Sequence, residues 1–225
     1  MSATNPGSRP GLSREVVAER AVALGDAEGI EAVTVRRLAR DFGVTSMALY
    51  WHFRTKDDLL AGIGDHILDA VEVPDPSGDW AADLRATMIA LVTALRPHPQ
   101  LAPLVTVRLA EHPHGLALTE RGLGVLVEAG FDPETATYLA LHGLRVALAT
   151  VAPPEGDKRG SLSAEEMDAG VRHKTAALGA LPPQQYPTLV AHAPVIANTL
   201  CRDEDTTMLI DVFVAGVQAM SARLR

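Results

Sequence analysis

The chain has 225 residues, enough to bury a sizeable core in one large domain or in a small and a medium one. With 47% hydrophobic and 21% charged residues it reads as an ordinary soluble globular protein, and no apolar stretch reaches the roughly eighteen residues of a membrane span. The net charge of −8 argues against a nucleic-acid partner only as an average: residues 1–56 hold eight Lys/Arg against six Asp/Glu and the remainder twelve against twenty-two, a small basic head on an acidic body.

One cysteine, Cys201, leaves no internal disulfide and no cysteine-built zinc site. Residues 1–12, broken by Pro6 and Pro10, read as a polar flexible arm without the apolar core of a signal peptide, and a cytoplasmic location is expected. Ser13 then offers a helix cap, with Glu15 in the first turn and Val17, Ala21 and Leu24 at helical spacing. Thr34 caps a second helix, "VRRLARDF", in which Leu38 and Ala39 face inward while Arg36 and Arg40 share a face. Gly43 ends it, in the position where glycine is favoured.

Thr45 opens a third helix to about Phe53, and "TKDD" from Thr55 caps a fourth. The chain has nine aromatic residues, and Phe42, Tyr50, Trp51 and Phe53 fall within one short stretch. Ser46, Met47, Tyr50 and Trp51 share the exposed side of the third helix, while Leu49 and Phe53 face the core. Two short helices around a glycine turn make a helix-turn-helix unit. In the fourth helix Gly62 and Gly64 fit either close packing or a hinge.

Downstream every periodic segment is helical: 79–96, 115–129, 132–151 behind the strong start Asp132-Pro133-Glu134, 163–178 behind a Ser163/Glu166 capping box, and 204–224. The polar stretch 152–161 and "LPPQQYP" are connections. The fold class is all-α: a three-helix head over 13–60 and a ligand-binding and dimerisation domain over 61–225. On the last helix Leu209, Val212, Phe213, Gly216, Val217 and Met220 form a broad apolar stripe suited to a dimer interface with helix 133–151. On that partner helix Tyr138, His142 and Arg145 form a narrow polar stripe. It faces water or a sister subunit, or it lines a ligand cavity and orients a guest there.

The stretch "AVALGDAEGIEAVTVRRLARDFGVTSMALYWHFRTKDDLL" resembles the DNA-binding segment of the tetracycline-repressor (TetR) family of bacterial transcriptional regulators. The resemblance covers about a fifth of the chain strongly. It extends more weakly to the tetracycline-type C-terminal domain through "LVEAGFDPETATYLALHGL" and "FVAGVQAM". It implies a homodimeric repressor on a palindromic double-stranded DNA operator, released by a small-molecule inducer. Thr34 and Arg36 would make phosphate and base contacts, and Thr45, Ser46, Met47 and Tyr50 would meet the major groove. Trp51, His52 and Lys56 would meet the backbone. Met47 stands where the best-known tetracycline repressors carry proline, so the operator need not match theirs. No matching set of drug- and magnesium-binding side chains aligns either, which speaks against tetracycline as the effector.

The alternative is a helical small-molecule-binding protein, or a cofactor-free enzyme, that does not act on DNA. The charge split and "LYWHF" speak against it. No nucleophile elbow, phosphate loop or nucleotide fingerprint occurs, and no enzyme activity or cofactor is expected. The histidines of "HPH" at 112–114 read as loop residues, and no metal is expected.

Overall fold

The computed structural model describes residues 12–151, 162–201 and 207–224. The arm predicted over 1–12 lies outside the described residues apart from Leu12, as do the connection 152–161 and the start of the last predicted helix. Among the described residues the regular elements are helices, and no strand occurs. No helix there is long and apolar enough to cross a membrane. The described residues of 1–152 and 209–225 form one compact unit and those of 153–208 a second.

The first unit begins with α1 (Arg14–Glu28), α2 (Val35–Phe42), α3 (Ser46–Tyr50) and α4 (Lys56–Asp69). Each starts on a hydroxyl cap: Ser13, Thr34, Thr45 and Thr55 accept from the amides of Val16, Arg37, Ala48 and Asp58. Gly43 ends α2 at φ 67°, a left-handed conformation that costs glycine nothing, and its amide satisfies carbonyls of the last turn. Val17, Ala21, Leu38, Leu49, Phe53 and Leu59 close the core of this head.

α3 stops at Tyr50, earlier than the periodicity suggests, and residues 51–54 turn the chain into α4. Arg14 holds that turn. Its guanidinium donates to the His52 carbonyl at 2.7 Å and to Asp58 Oδ1 at 2.7 Å, and it lies over the Phe53 ring at 4.3 Å. Asp58 also accepts from the Arg54 amide. These bonds keep the Asp58 carboxyl below the usual carboxylate range, Arg14 being the larger cause.

The unit continues with α5 (Trp80–Leu95), α6 (Ala102–Arg108), α7 (Pro113–Glu128) and α8 (Pro133–Ala149), and is completed by α12 (Thr207–Ser221). Asp79 and Asp132 cap α5 and α8, and Pro133 occupies the first turn of α8. α6 was not legible: seven residues behind two prolines are too few to show a period. Buried Asp83 in α5 accepts from the amide and hydroxyl of Ser77, which keeps its carboxyl below the usual range. Arg85 pairs with Asp211 at 2.6 Å, and the Ser221 hydroxyl donates to the Ala129 carbonyl, so α12 is tied at both ends.

Close packing accounts for both glycines of α4. A Cβ on Gly62 would lie 2.5 Å from the Phe53 ring, and one on Gly64 2.8 Å from Arg108 and 3.0 Å from the Leu104 carbonyl. The cost of about 1 kcal/mol per helical glycine is offset by this approach. Arg108 pairs with Asp65 at 2.7 Å, fastening α6 to α4. The preceding turn touches α1, where Leu101 packs on Gly25 and His98 Nδ1 lies 2.7 Å from Asp26.

In the second unit α9 (Ala164–Gly179) carries the predicted capping box of Ser163 and Glu166. α10 (Pro187–Ala191) and α11 (Ala193–Cys201) pack on α9, with Ala193 and Ala197 buried.

Candidate nucleic-acid interface and effector cavity

α3 presents a face that is unusual for an isolated protein surface. Met47 is 68% exposed, Tyr50 45% and Trp51 85%, while Leu49 and Phe53 on the other side are 1% exposed. An almost fully exposed tryptophan forfeits most of the burial that its ring can supply, so the arrangement serves contact rather than packing. Ser46 and His52 are half-buried at the two ends of this face, and Thr45 is exposed but uses its oxygen as the cap.

α2 lies beside it with exposed Thr34 and Arg36. Among the described residues neither Arg36 nor the exposed Arg40 makes an ion pair, so both guanidinium groups are available to an anion. Arg37 is different and is not a merely solvated residue of the helix face. It pairs with Glu28 at 2.6 Å and with Asp41 at 3.2 Å, and Arg20 joins Asp41 at 2.6 Å. The Glu28 bond, then the Asp41 bond, raise the Arg37 pKa, and both carboxyls are held below their usual range. Arg37 therefore locks α1 to α2 instead of facing outward. Lys56 stands exposed at the start of α4, 3.9 Å from the fully solvated Glu31. Such a surface pair contributes about 0–1 kcal/mol and is easily exchanged for a phosphate.

Arg14 is the residue of this site that sequence reasoning missed. A cation in the first turn of a helix opposes the helix dipole, and that misfit was the available signal. Its partners 38–44 residues away could not be read locally.

In the body, α5, α7 and α8 line an apolar pocket of about 150 Å³ that is partly open to solvent, with Met88, Leu118, Ala140 and Leu144 among its walls. Leu109, just past the end of α6, also lines it. Its three hydroxyls, on Thr87, Thr119 and Thr137, all donate to carbonyls of their own helices, which leaves the cavity with acceptor lone pairs only.

Two site assignments change here. Tyr138, His142 and Arg145 do not line this cavity: all three are exposed on the opposite face of α8, and His142 Nδ1 sits 2.7 Å from the Tyr138 carbonyl. A polar stripe marks a helix face but not which side the core takes. On α12, Val217 is buried in its own chain and cannot form an interface. Phe213 is half-buried, with its ring 3.2 Å from where a Cβ of Gly143 would stand. Leu209, Val212, Gly216 and Met220 remain exposed.

Of the histidines of "HPH", read as loop residues, His112 does stand in extended backbone before α7, whereas His114 belongs to the helix. His112 occupies the residue before α7 without a side-chain capping bond, His114 lies in the first turn, and Asp69 at the end of α4 lies beside them.

The family model described as "Bacterial regulatory proteins, tetR family" matches residues 18–63, and "Tetracyclin repressor-like, C-terminal domain" matches 73–220. An HTH-type transcriptional regulator of Saccharopolyspora erythraea is 31% identical over 193 residues, covering 83% of this chain and 77% of that protein. The Streptomyces coelicolor TetR family protein ActR in complex with actinorhodin superposes with a TM-score of 0.74 at 25% identity, over 95% of this chain and 98% of that one. BioQ with its natural double-stranded DNA operator superposes with a TM-score of 0.57 at 28% identity, over 67% and 92%.

Proposed function

Because this chain belongs to the tetracycline-repressor (TetR) family of bacterial transcriptional regulators, we propose that it binds a palindromic operator as a homodimer and leaves it when an apolar small molecule occupies the body. The observation that carries the reading is the exposed Met47, Tyr50 and Trp51 face of α3 beside the unpaired Arg36 and Arg40 of α2. Thr34, Arg36, Trp51, His52 and Lys56 set the register on phosphates, and Thr45, Ser46, Met47 and Tyr50 face base edges. Met47, lacking a donor, suits a thymine methyl.

The dimer forms through the exposed faces of α8 and α12, with Tyr138, Leu141, Leu209, Val212, Gly216 and Met220 against their symmetry mates. Such a contact is isologous, and it sets two heads against the two halves of an inverted repeat.

The effector is a mostly apolar molecule, and any hydrogen-bond donor it carries meets acceptor lone pairs on the Thr87, Thr119 and Thr137 hydroxyls. The relative ActR was solved with actinorhodin, and an aromatic guest of that broad kind fits the apolar walls here. A drug-sized ligand needs about 300 Å³ or more, twice this partly open pocket, and in the proposed reading its entry spreads the walls. Leu109 is one of those walls, and α6 just before it is fastened to α4 through Gly64 and the Arg108–Asp65 pair. Expansion thus reaches the helix that carries the head, and a population with mismatched heads follows.

Selection of the full-length protein on random-sequence duplexes tests this reading. The expected outcome is enrichment of an inverted repeat whose half-sites lie about one helical turn (~34–36 Å) or somewhat more apart. Recovery of sequences no different from the input would reject it and restore the view of a small-molecule-binding protein that ignores DNA.

A further inference from the structure

We propose that Asp69, His112 and His114 form a binding site for a borderline divalent transition metal, of which Zn²⁺ is the type, between the end of α4 and the start of α7. One ligand atom of each residue lies within 4.8 Å of the other two. His112 Nε2 is 3.4 Å from Asp69 Oδ1, and His114 Nδ1 is 3.7 Å from the same oxygen. A tetrahedral ion with bonds of about 2.0–2.1 Å holds its ligands about 3.3–3.4 Å apart. Two of the three edges therefore stand close to the required length before any ion arrives.

The donor set names the metal class. Two imidazoles and one carboxylate suit Zn²⁺, Co²⁺ or Ni²⁺, whereas Mg²⁺ and Ca²⁺ prefer all-oxygen sites. Water reaches the site, since the Asp69 side chain is 63% exposed and His114 48%, so an ion can enter and keep a water as its fourth ligand.

The protein also places the ligands on rigid supports. A Cβ on Gly115 would lie 2.6 Å from the Leu109 carbonyl oxygen, so α7 begins in backbone contact with the end of α6. Pro113 between the two histidines fixes the first turn. The His112 amide donates to the Arg108 carbonyl at 2.9 Å, and Arg108 in turn pairs with Asp65, one turn before Asp69 on α4. The ring of His112 is mostly enclosed, and its Nδ1 has no partner. His114 Nδ1 also lies 3.2 Å from the Leu68 carbonyl, a contact that this nitrogen gives up when it loses its proton and ligates the ion. Sequence spacing hid the site because the third ligand stands 43 residues before the first histidine.

The test titrates Co²⁺, and separately Zn²⁺ by calorimetry, into full-length metal-free protein. One ion per chain and the intense visible absorption of four-coordinate cobalt are expected. His114→Gln, at a largely exposed position, and Asp69→Asn should each weaken binding at least tenfold, with circular dichroism unchanged. His112→Gln should do the same if it folds, and His142→Gln, a histidine on the exposed face of α8, should bind as the wild type does. Absence of binding, or binding in His114→Gln and Asp69→Asn equal to wild type, would overturn the proposal.

Discussion

Val212→Glu is expected to yield folded monomers that no longer bind an operator. α12 divides its residues cleanly: Ile210, Val214 and Val217 enter the core of their own chain, while Val212 is 65% exposed on the other side. A carboxylate there costs the protomer almost nothing. In an isologous interface it would appear twice near the symmetry axis, so two like charges would be stripped of water together. Dimerisation should weaken at least a hundredfold, which is about 2.8 kcal/mol. Operator affinity should fall further, because a single head keeps only half of the phosphate and base contacts. Sedimentation, with circular dichroism as the fold control, reads the outcome. A folded dimeric variant would remove this face from the interface. Phe213→Glu is the poorer test, since Phe213 packs against the core of its own chain beside Gly143, and a charge there would disturb the protomer itself.

The second large effect concerns the cavity. An apolar space of about 150 Å³ is the size that admits benzene in other proteins. Benzene at tenfold excess over its Kd should stabilise the native state by about 1.4 kcal/mol. For a chain of this length that raises the thermal midpoint by roughly 3–6 °C. Leu144→Trp would place an indole in the same space and should abolish the shift, while operator binding persists and release by larger effectors is lost. Equal shifts in wild type and variant would place the binding elsewhere.

Much of the head was legible because its signals are local. Four hydroxyl caps and Gly43 lie within a few residues of the amides and carbonyls they satisfy, and Met47, Leu49, Tyr50 and Phe53 sort themselves by helical period. The features that escaped depend on distant partners. Arg14 finds His52 and Asp58 across the head, Arg37 finds Glu28, and Asp69 finds two histidines at the start of another helix. Periodicity also failed where it should. It marked a stripe on α8 and a stripe on α12 but could not say which side the core would take. Tyr138, His142 and Arg145 turned outward and Val217 inward. Gly62 and Gly64 were ambiguous until Phe53, Leu104 and Arg108 stood against them.

The central claim is that α3 reads bases while its basic neighbours hold phosphates. The most direct test measures the affinity of wild type, Met47→Ala and Lys56→Ala for the selected operator and its single-base variants across a salt series. Wild-type affinity should fall steeply with salt as counterions are released. Lys56→Ala should weaken binding to every sequence alike and reduce the log–log salt slope by about one, whereas Met47→Ala should keep the slope and relax the preference at one base pair per half-site. A Lys56→Ala protein with altered base preference, beside a Met47→Ala protein with the preference intact, would contradict the account.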